Sequence, residues 1–457
     1  MKSKIQLHTY GCKVNTYDTG LLQKRLSMKG YEFTDESPEV HVFNTCAVTA
    51  EATKDAIRAL RRVRAKNPNA KIVVTGCSAQ VDGESLDTLS EADLIIANSH
   101  KGSLEDILES HLRGETTEKV FRSNIFRKDD LEAGGGKEAG HTRAFVKIQD
   151  GCNQFCTYCV IPFARGKSRS ITIDELVTKI DELAASGTRE VVLTGVHIGD
   201  YEDDSRPNQK LGLEQLVAEV LARTSVPRIR LSSLEPIELT EELLKLYERD
   251  ERLCRHFHMS IQSANTRILH AMRRKYSAED VESSLRAIAE RLPGSFVGMD
   301  VIVGFPSESH EEFEDTFFRL ANLPWSRIHV FPYSERPGTK ATQISEVVEK
   351  SERSLRAMRL RELSSSRYRE IADSQIGAYK QAVLLKGQKA LSRDYWPIKF
   401  DVNESELSML NELVGKEVYV RITGFDETQA SRMDGVLVGK PDFEMSGYAR
   451  TANASAT

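Results

Sequence analysis

QDGCNQFCTYCVIPFARGKSRS, residues 149–170, sets Cys152, Cys156 and Cys159 within eight residues at C-x3-C-x2-C spacing. Three thiols that close together call for a metal. Structural zinc takes four ligands, usually as C-x2-C pairs, and ferredoxin-type loops also complete a set of four, but this loop stops at three. A cubane iron–sulfur cluster held by three cysteines keeps one iron without a protein ligand, and that iron can bind a small molecule as the open position of a catalytic zinc does. The stretch therefore reads as a reactive site.

Around it, from about Arg143 to Ser374, short β-type runs alternate with amphipathic helices. The runs are AFVKIQ (144–149), EVVLTG (190–195), RIRLSS (228–233), HFHMSI (256–261), MDVIVGF (299–305) and IHVFPY (328–333). In the helical segment ITIDELVTKIDELAASG, Leu176, Ile180 and Leu183 recur at steps of four and three. Six such units predict an incomplete, TIM-like (β/α)6 barrel, with functional groups at the carboxyl ends of its strands. The cysteine loop follows the first strand, which places a cluster over the mouth. Thr194, Gly195 and His197, then Ser232, Ser233 and Glu235, then Gln262 and Ser263, and the GFPSES turn at 304–309 fall at the other strand ends. Singly each fits a strand cap or helix N-cap; as a ring they fit the lining of a cofactor cavity. His256 and His258 alternate on one strand and lack a third ligand nearby, so they read as hydrogen-bonded core histidines, and Cys254 beside them as structural.

Residues 1–127 repeat the βα pattern with runs at 4–10, 40–45, 71–76 and 93–98 and helices such as LLQKRLSMKGY and AEATKDAIRALRRVRA, predicting a doubly wound parallel α/β sheet. Cys12, Cys46 and Cys77 follow the first three of these runs. Ligand crevices in such sheets lie outside the carboxyl ends of the strands, so the three would converge on one edge, or else be small buried apolar residues. Residues 128–142, KDDLEAGGGKEAGHT, are charged and glycine-rich and predict a linker. From Gln375 to Lys440, short β runs predict a small antiparallel barrel, followed by a polar tail at 441–457. Lys386 and Arg393 beside Trp396 offer phosphate contact and stacking together, and Arg165, Lys167 and Arg169, with Arg273 and Arg274, add basic runs near the cluster loop.

The formal charge of -5 over 457 residues gives no global nucleic-acid signature, so any RNA contact must be a local basic face. MKSKIQLHTYGCKVN lacks the apolar core of a signal peptide, no apolar run reaches membrane-spanning length, and seven cysteines fit metal or catalysis better than disulfides. A cytoplasmic, monomeric protein without membrane contact is expected.

The cysteine loop, with Tyr158 before its third cysteine, resembles that of the radical S-adenosylmethionine superfamily. TYGCKVNTYDT (9–19), NTCAVTAEATKD (44–55) and VTGCSAQ (74–80) resemble the amino-terminal domain of the methylthiotransferases within it, and 375–440 is similar to a divergent TRAM module, an RNA-binding barrel. The resemblance covers nearly the whole chain. It implies two [4Fe-4S] clusters, one on Cys152, Cys156 and Cys159 and an auxiliary, sulfur-delivering one on Cys12, Cys46 and Cys77. It also implies S-adenosylmethionine held near Tyr158 and the strand-end residues, although VHIG at 196–199 replaces an acidic residue common in that segment, and Asn15 and Asn44 near the auxiliary cluster. The implied substrate is a tRNA anticodon stem-loop, with a reducing electron donor and a sulfur donor as further partners. GCKVN at 11–15 resembles the branch that converts N6-threonylcarbamoyladenosine at position 37 to its 2-methylthio derivative; branches acting on isopentenyladenosine or on a ribosomal-protein aspartate are the alternatives. From a different class, a non-enzymatic RNA-binding protein with metal-bound cysteines also remains.

Overall fold

The computed structural model describes residues 3–128, 142–427 and 435–447. The expected linker falls almost wholly on 129–141, outside the described residues, as does the tail beyond 447.

Strands β1 (Lys4–Thr9), β2 (Glu32–Phe33), β3 (Val40–Thr45), β4 (Lys71–Gly76), β5 (Leu94–Ala97) and β6 (Val120–Phe121) form one parallel sheet in the order β2-β1-β3-β4-β5-β6. Every residue of β3 is buried because helices cover both faces, which is why VHVFNT shows no alternation. The two edge strands, two residues long each, carry too little pattern to be read from sequence. Strand order reverses between β1 and β3, and helices α1 (Lys13–Met28), α2 (Ala50–Lys66) and α3 (Cys77–Val81) leave the carboxyl edge on either side of that switch point.

The barrel starts at β7 (Ala144–Lys147). β8 (Gln149–Asp150) and β9 (Arg169–Ser170) then pair antiparallel, Gln149 with Ser170 and Asp150 with Arg169. That short ladder clasps the base of the cysteine loop, so the loop is a pinned excursion. β10 (Glu190–Thr194), β11 (Arg228–Leu231), β12 (Ser233–Leu234), β13 (His256–Gln262), β14 (Phe296–Val303) and β15 (Arg327–Pro332) complete it. They pair in parallel as β11-β10-β7 and β12-β13-β14-β15. The expected strand RIRLSS is two strands: the ladder with β10 ends with the Ser232 N–H on the Leu193 carbonyl at 3.0 Å, and from Ser233 the chain pairs with β13. β7 and β15 do not pair with each other, so the barrel is open on one side, and α1 packs on β7 beside that opening.

β16 (Tyr379–Leu385), β17 (Lys389–Ser392), β18 (Pro397–Phe400), β19 (Glu417–Asp426) and β20 (Val436–Asp442) close a second barrel in the order β16-β17-β18-β20-β19. It is not wholly antiparallel as expected, since β18 runs parallel to β20. Parallel neighbours need a crossover rather than a hairpin. Here the connection passes through a helix at Glu404–Glu412, absent from the sequence reading though marked by the capping box Asn403/Glu406, and then through β19.

Two corrections follow from how this barrel docks. Trp396, expected as a stacking surface for RNA, is 2% exposed and packs on Phe296 and Tyr368 at ring distances of 5.2 and 4.8 Å. Its apolar area is used to join the two barrels. Arg393, expected to meet phosphates, instead pairs with Glu417 at 3.0 Å and donates to the Pro227 and Glu251 carbonyls. Below it Glu190, Arg228 and Arg230 are all fully buried, and Arg228 also reaches Glu417 at 2.8 Å. Burial would raise the Glu190 carboxyl, but Arg230, Arg228 and Arg143 hold it well below the ordinary range. Among the described residues no helix is long and apolar enough to cross a membrane.

Candidate active site

Cys46 and Cys77 come directly after β3 and β4, and Cys12 follows β1 as the N-cap of α1. No side chain caps α1. The first backbone N–H groups of this sixteen-residue helix are therefore left without a side-chain acceptor beside Cys12. Gly11 has φ +95°, and a Cβ there would stand 2.5 Å from the Cys46 Cβ and 2.6 Å from its Sγ. Only glycine allows the first and second cysteine loops to touch. Asn15 donates to the Tyr10 carbonyl at 2.7 Å and the Thr45 carbonyl at 3.0 Å, while Asn44 donates to the Asn15 carbonyl at 3.0 Å. These asparagines cross-tie the cysteine loops. Asn98 adds an N–H 3.7 Å from the Cys77 sulfur.

Gly11→Ala is expected to push these loops apart while leaving the barrel intact. The purified, reconstituted variant should then carry less iron than the wild type. Full iron content would show that the glycine is not what brings Cys46 to Cys12.

The other three cysteines lie over the barrel mouth, where Cys159 is hydrogen-bonded through its N–H to the Cys156 carbonyl at 3.0 Å. In each set one thiol is raised by burial and neighbouring sulfurs: Cys159 is pushed up to about 12, with burial first and Cys156 next, and Cys46 likewise to about 12, with burial first and then Cys77 and Cys12. Cys46, Cys77 and Cys156 are buried, Cys152 and Cys159 half-buried and Cys12 exposed, so each set joins buried sulfur to sulfur that a metal cluster can reach.

The strand-end ring is partly as expected. Thr194 and Gly195 lead to a turn in which the N–H groups of Val196 and His197 donate to Gln149 Oε1 at 3.1 and 3.0 Å. His197 approaches Asp200 at 3.0 Å, Glu235 at 3.5 Å and, more closely, Glu238. Burial would lower its pKa, but bonds with Asp200, Cys152 and Glu238 push it up to about 12. The ligand atoms of His197 lie within 4.8 Å of Cys152 and Asp200, and also of Glu235 and Glu238. A single metal there would leave Cys156 and Cys159 unused, whereas three carboxylates beside the cysteine loop suit a cofactor that carries an ammonium and a sulfonium. Asp200 and Glu238 were missed in the sequence, and they supply the acidity that VHIG lacks.

Arg274, expected as an RNA contact, is 9% exposed in its side chain, ion-paired with Glu235 and bonded to the Tyr158 hydroxyl at 2.7 Å. It points into the barrel and orients Tyr158. Gln262, at φ +61°, faces a pocket of about 200 Å³, whereas Ser263 is buried, bonding Thr316 at 3.2 Å and accepting the Asn265 N–H. Ser232 is buried in the strand break and Ser233 is half-buried in β12. That pocket is lined by Val48 and Thr49, just after Cys46, and by Tyr158, Cys159, Gln262, Asp300 and Phe331. It therefore has a wall from each cysteine-bearing unit.

Arg165 was also expected at the RNA rim, but it is 4% exposed. It bonds Asp150 at 2.9 Å, Asn15 at 2.6 Å and Asp18 at 3.2 Å, while Lys147 bonds Asp18 at 2.7 Å and Asp150 at 3.1 Å and Lys101 bonds Asp18 at 3.2 Å. Asp150 leads into the loop of Cys152, and Asn15 and Asp18 follow Cys12. This buried lattice fixes one cysteine set against the other. Arg169 donates to the Lys128 and Arg165 carbonyls, and of the basic candidates only Lys167, Arg273 and Lys386 are exposed.

Residues 146–320 match the family model of the radical SAM superfamily, and residues 4–97 match one described as uncharacterized protein family UPF0004. The threonylcarbamoyladenosine tRNA methylthiotransferase MtaB of Aquifex aeolicus is 38% identical over 399 residues, 87% of this chain and 96% of that one. The MtaB of Bacillus subtilis is 32% identical over 92% of this chain and 93% of its own. A tRNA-2-methylthio-N(6)-dimethylallyladenosine synthase of Desulfotalea psychrophila is also 32% identical, covering 77% of this chain and 81% of that one. Among solved structures, the radical S-adenosylmethionine methyltransferase TsrM from Kitasatospora setae has a TM-score of 0.55 at 15% identity, over 85% of this chain and 82% of that one, a likeness of fold.

Proposed function

The chain belongs to the radical S-adenosylmethionine tRNA methylthiotransferases, and from that premise we propose that it methylthiolates C2 of N6-threonylcarbamoyladenosine at position 37 of tRNA. The reading of a non-enzymatic metal protein falls with family membership.

The observation that carries the proposal is the pocket shared by Cys159, Tyr158 and Gln262 with Val48 and Thr49 next to Cys46. A target base there would reach both cysteine sets at once. Cys152, Cys156 and Cys159 would hold the cluster of the family, and Cys12, Cys46 and Cys77 a second, auxiliary one. When bound, the first cluster with S-adenosylmethionine supplies the radical chemistry needed to take hydrogen from an unactivated carbon, which side-chain acids and bases cannot do. The protein's part is positioning and charge. Glu235, Glu238 and Asp200 would face the cationic end of the cofactor, Arg274 orders Tyr158, and the β8–β9 clasp keeps the loop from drifting. Electrons and sulfur come from donors in solution.

Relatives named for threonylcarbamoyladenosine support this substrate, and the dimethylallyladenosine relatives define the rival. Nucleoside mass spectrometry of tRNA from cells lacking the protein decides between them. Loss of 2-methylthio-N6-threonylcarbamoyladenosine alone is expected. Loss of the methylthio dimethylallyl nucleoside instead would transfer the enzyme to the other branch.

A further inference from the structure

Below the reaction pocket the barrel holds a second cavity of about 630 Å³ between β13–β15, the start of α1 and the edge of the C-terminal barrel. Its described lining includes Lys13, Arg143, Arg327, Lys389 and Lys399, and no Asp or Glu. Arg143 bonds Glu190 at 3.2 Å, a carboxylate it shares with Arg228 and Arg230, and Lys399 lies 3.4 Å from Asp426. Lys13, reaching in from α1 through the open side of the barrel, has no hydrogen bond or ion pair among the described residues. His256, 2% exposed, stacks on Tyr395 at 3.8 Å and leaves its Nδ1 without a partner. Burial would raise the Tyr395 phenol, but Lys13, Arg143 and the buried Arg230 pull it down. Positive charge is thus concentrated in a partly enclosed space whose described lining holds no carboxylate, with Lys13 unpaired among the described residues.

The two cavities adjoin. His258 lines the lower one and bonds Asp300 at 2.9 Å, and Asp300 lines the upper pocket beside Cys159 and Gln262.

We propose that the lower cavity receives the carboxylate of the threonylcarbamoyl substituent, with Lys13 as its principal counterion. This rests on the substrate reading above. A base presented to the upper pocket can direct its N6 substituent past the Asp300–His258 pair. An acid at its end meets Lys13, Arg143 and the free nitrogen of His256. A dimethylallyl group would leave those cations desolvated and unanswered, so the cavity selects by charge as well as by shape. Lys13 lies within GCKVN, the stretch whose reading set the substrate branch, and the cavity gives that lysine a physical purpose.

The test is binding of short anticodon stem-loops by the reconstituted protein. The RNAs carry N6-threonylcarbamoyladenosine, its neutral methyl ester, the dimethylallyl base or plain adenosine. Wild type should prefer the free acid over the ester by at least about tenfold, the scale of a charge-assisted contact. Lys13→Gln should abolish that preference without changing the affinity for plain RNA. Because Lys13 adjoins Cys12, iron content is measured alongside, and Arg143→Gln should weaken the same preference. Retention of the preference in both variants would overturn the assignment while leaving the substrate reading intact. Uniform weakening on all RNAs would mark a backbone-phosphate contact and overturn it as well. A wild type that does not favour the threonylcarbamoyl RNA over the dimethylallyl RNA would remove the substrate reading and this assignment together.

Discussion

Alanine at Cys12, Cys46 and Cys77 is expected to leave reductive cleavage of S-adenosylmethionine measurable and to stop thiolation, whereas alanine at Cys152, Cys156 and Cys159 stops both. The loss in each arrested reaction should reach background, at least about a thousandfold, because no side chain in the pocket can take over radical chemistry. The asymmetry follows from position. The second set lies on the clasped loop against Tyr158, His197 and the acidic cluster, the position from which we propose that it serves the cofactor. The first set sits across the pocket at the switch point of the α/β sheet, behind Val48 and Thr49. Cys254 is buried with Arg228 and Arg230 at the foot of the barrel, and Cys254→Ala should leave both reactions intact. 5'-Deoxyadenosine and methylthio-nucleoside, quantified from the same reaction, read the split. Thiolation surviving the change at Cys12, Cys46 and Cys77 would dismiss the auxiliary cluster.

The buried lattice of Asp18, Asp150, Lys101, Lys147 and Arg165 should be the most sensitive part of the interface outside the cysteines. Asp18→Asn keeps shape but leaves three cations facing one carboxylate, and breaking a buried pair from one side costs about 3 to 5 kcal/mol. For a unit of this size that lowers the thermal midpoint by about 10 °C. The pH dependence has a definite sign. Burial would raise Asp18, yet Lys147, Lys101 and Arg165 hold it well below its ordinary value of 3.8. A carboxyl depressed on folding contributes fully above its unfolded value and loses that contribution as pH falls through the range below it. The difference in stability between wild type and Asp18→Asn should therefore be constant from neutrality to about pH 5 and shrink below about pH 4. A difference that vanished between pH 7 and 5, or no destabilisation at all, would mean that the lattice does not hold the two units together.

Much of the fold was legible because its strands are buried on both faces and its helices are periodic, as in Ile173–Ala185, where Thr172 and Glu175 form a capping box at the predicted start. The cysteine spacing around Cys156 exposed the site for the same reason: local chemistry leaves a local pattern. What was not legible depends on contacts between distant segments. Arg165 and Trp396 look like surface residues in the chain, and only tertiary pairing with Asp18 and packing on Phe296 takes them inside. Asp200 and Glu238 gain their importance from meeting at His197, and Lys13 from the open side of a barrel more than a hundred residues away in sequence. The β18–β20 pairing was hidden because short alternating runs do not encode the direction of their neighbours.

Iron and acid-labile sulfide, counted on anaerobically reconstituted protein, test most directly whether both trios of cysteines carry clusters. Two clusters require about eight of each per chain, falling to about four when either trio is changed to alanine. About four in the wild type, or stoichiometric zinc without sulfide, would contradict it.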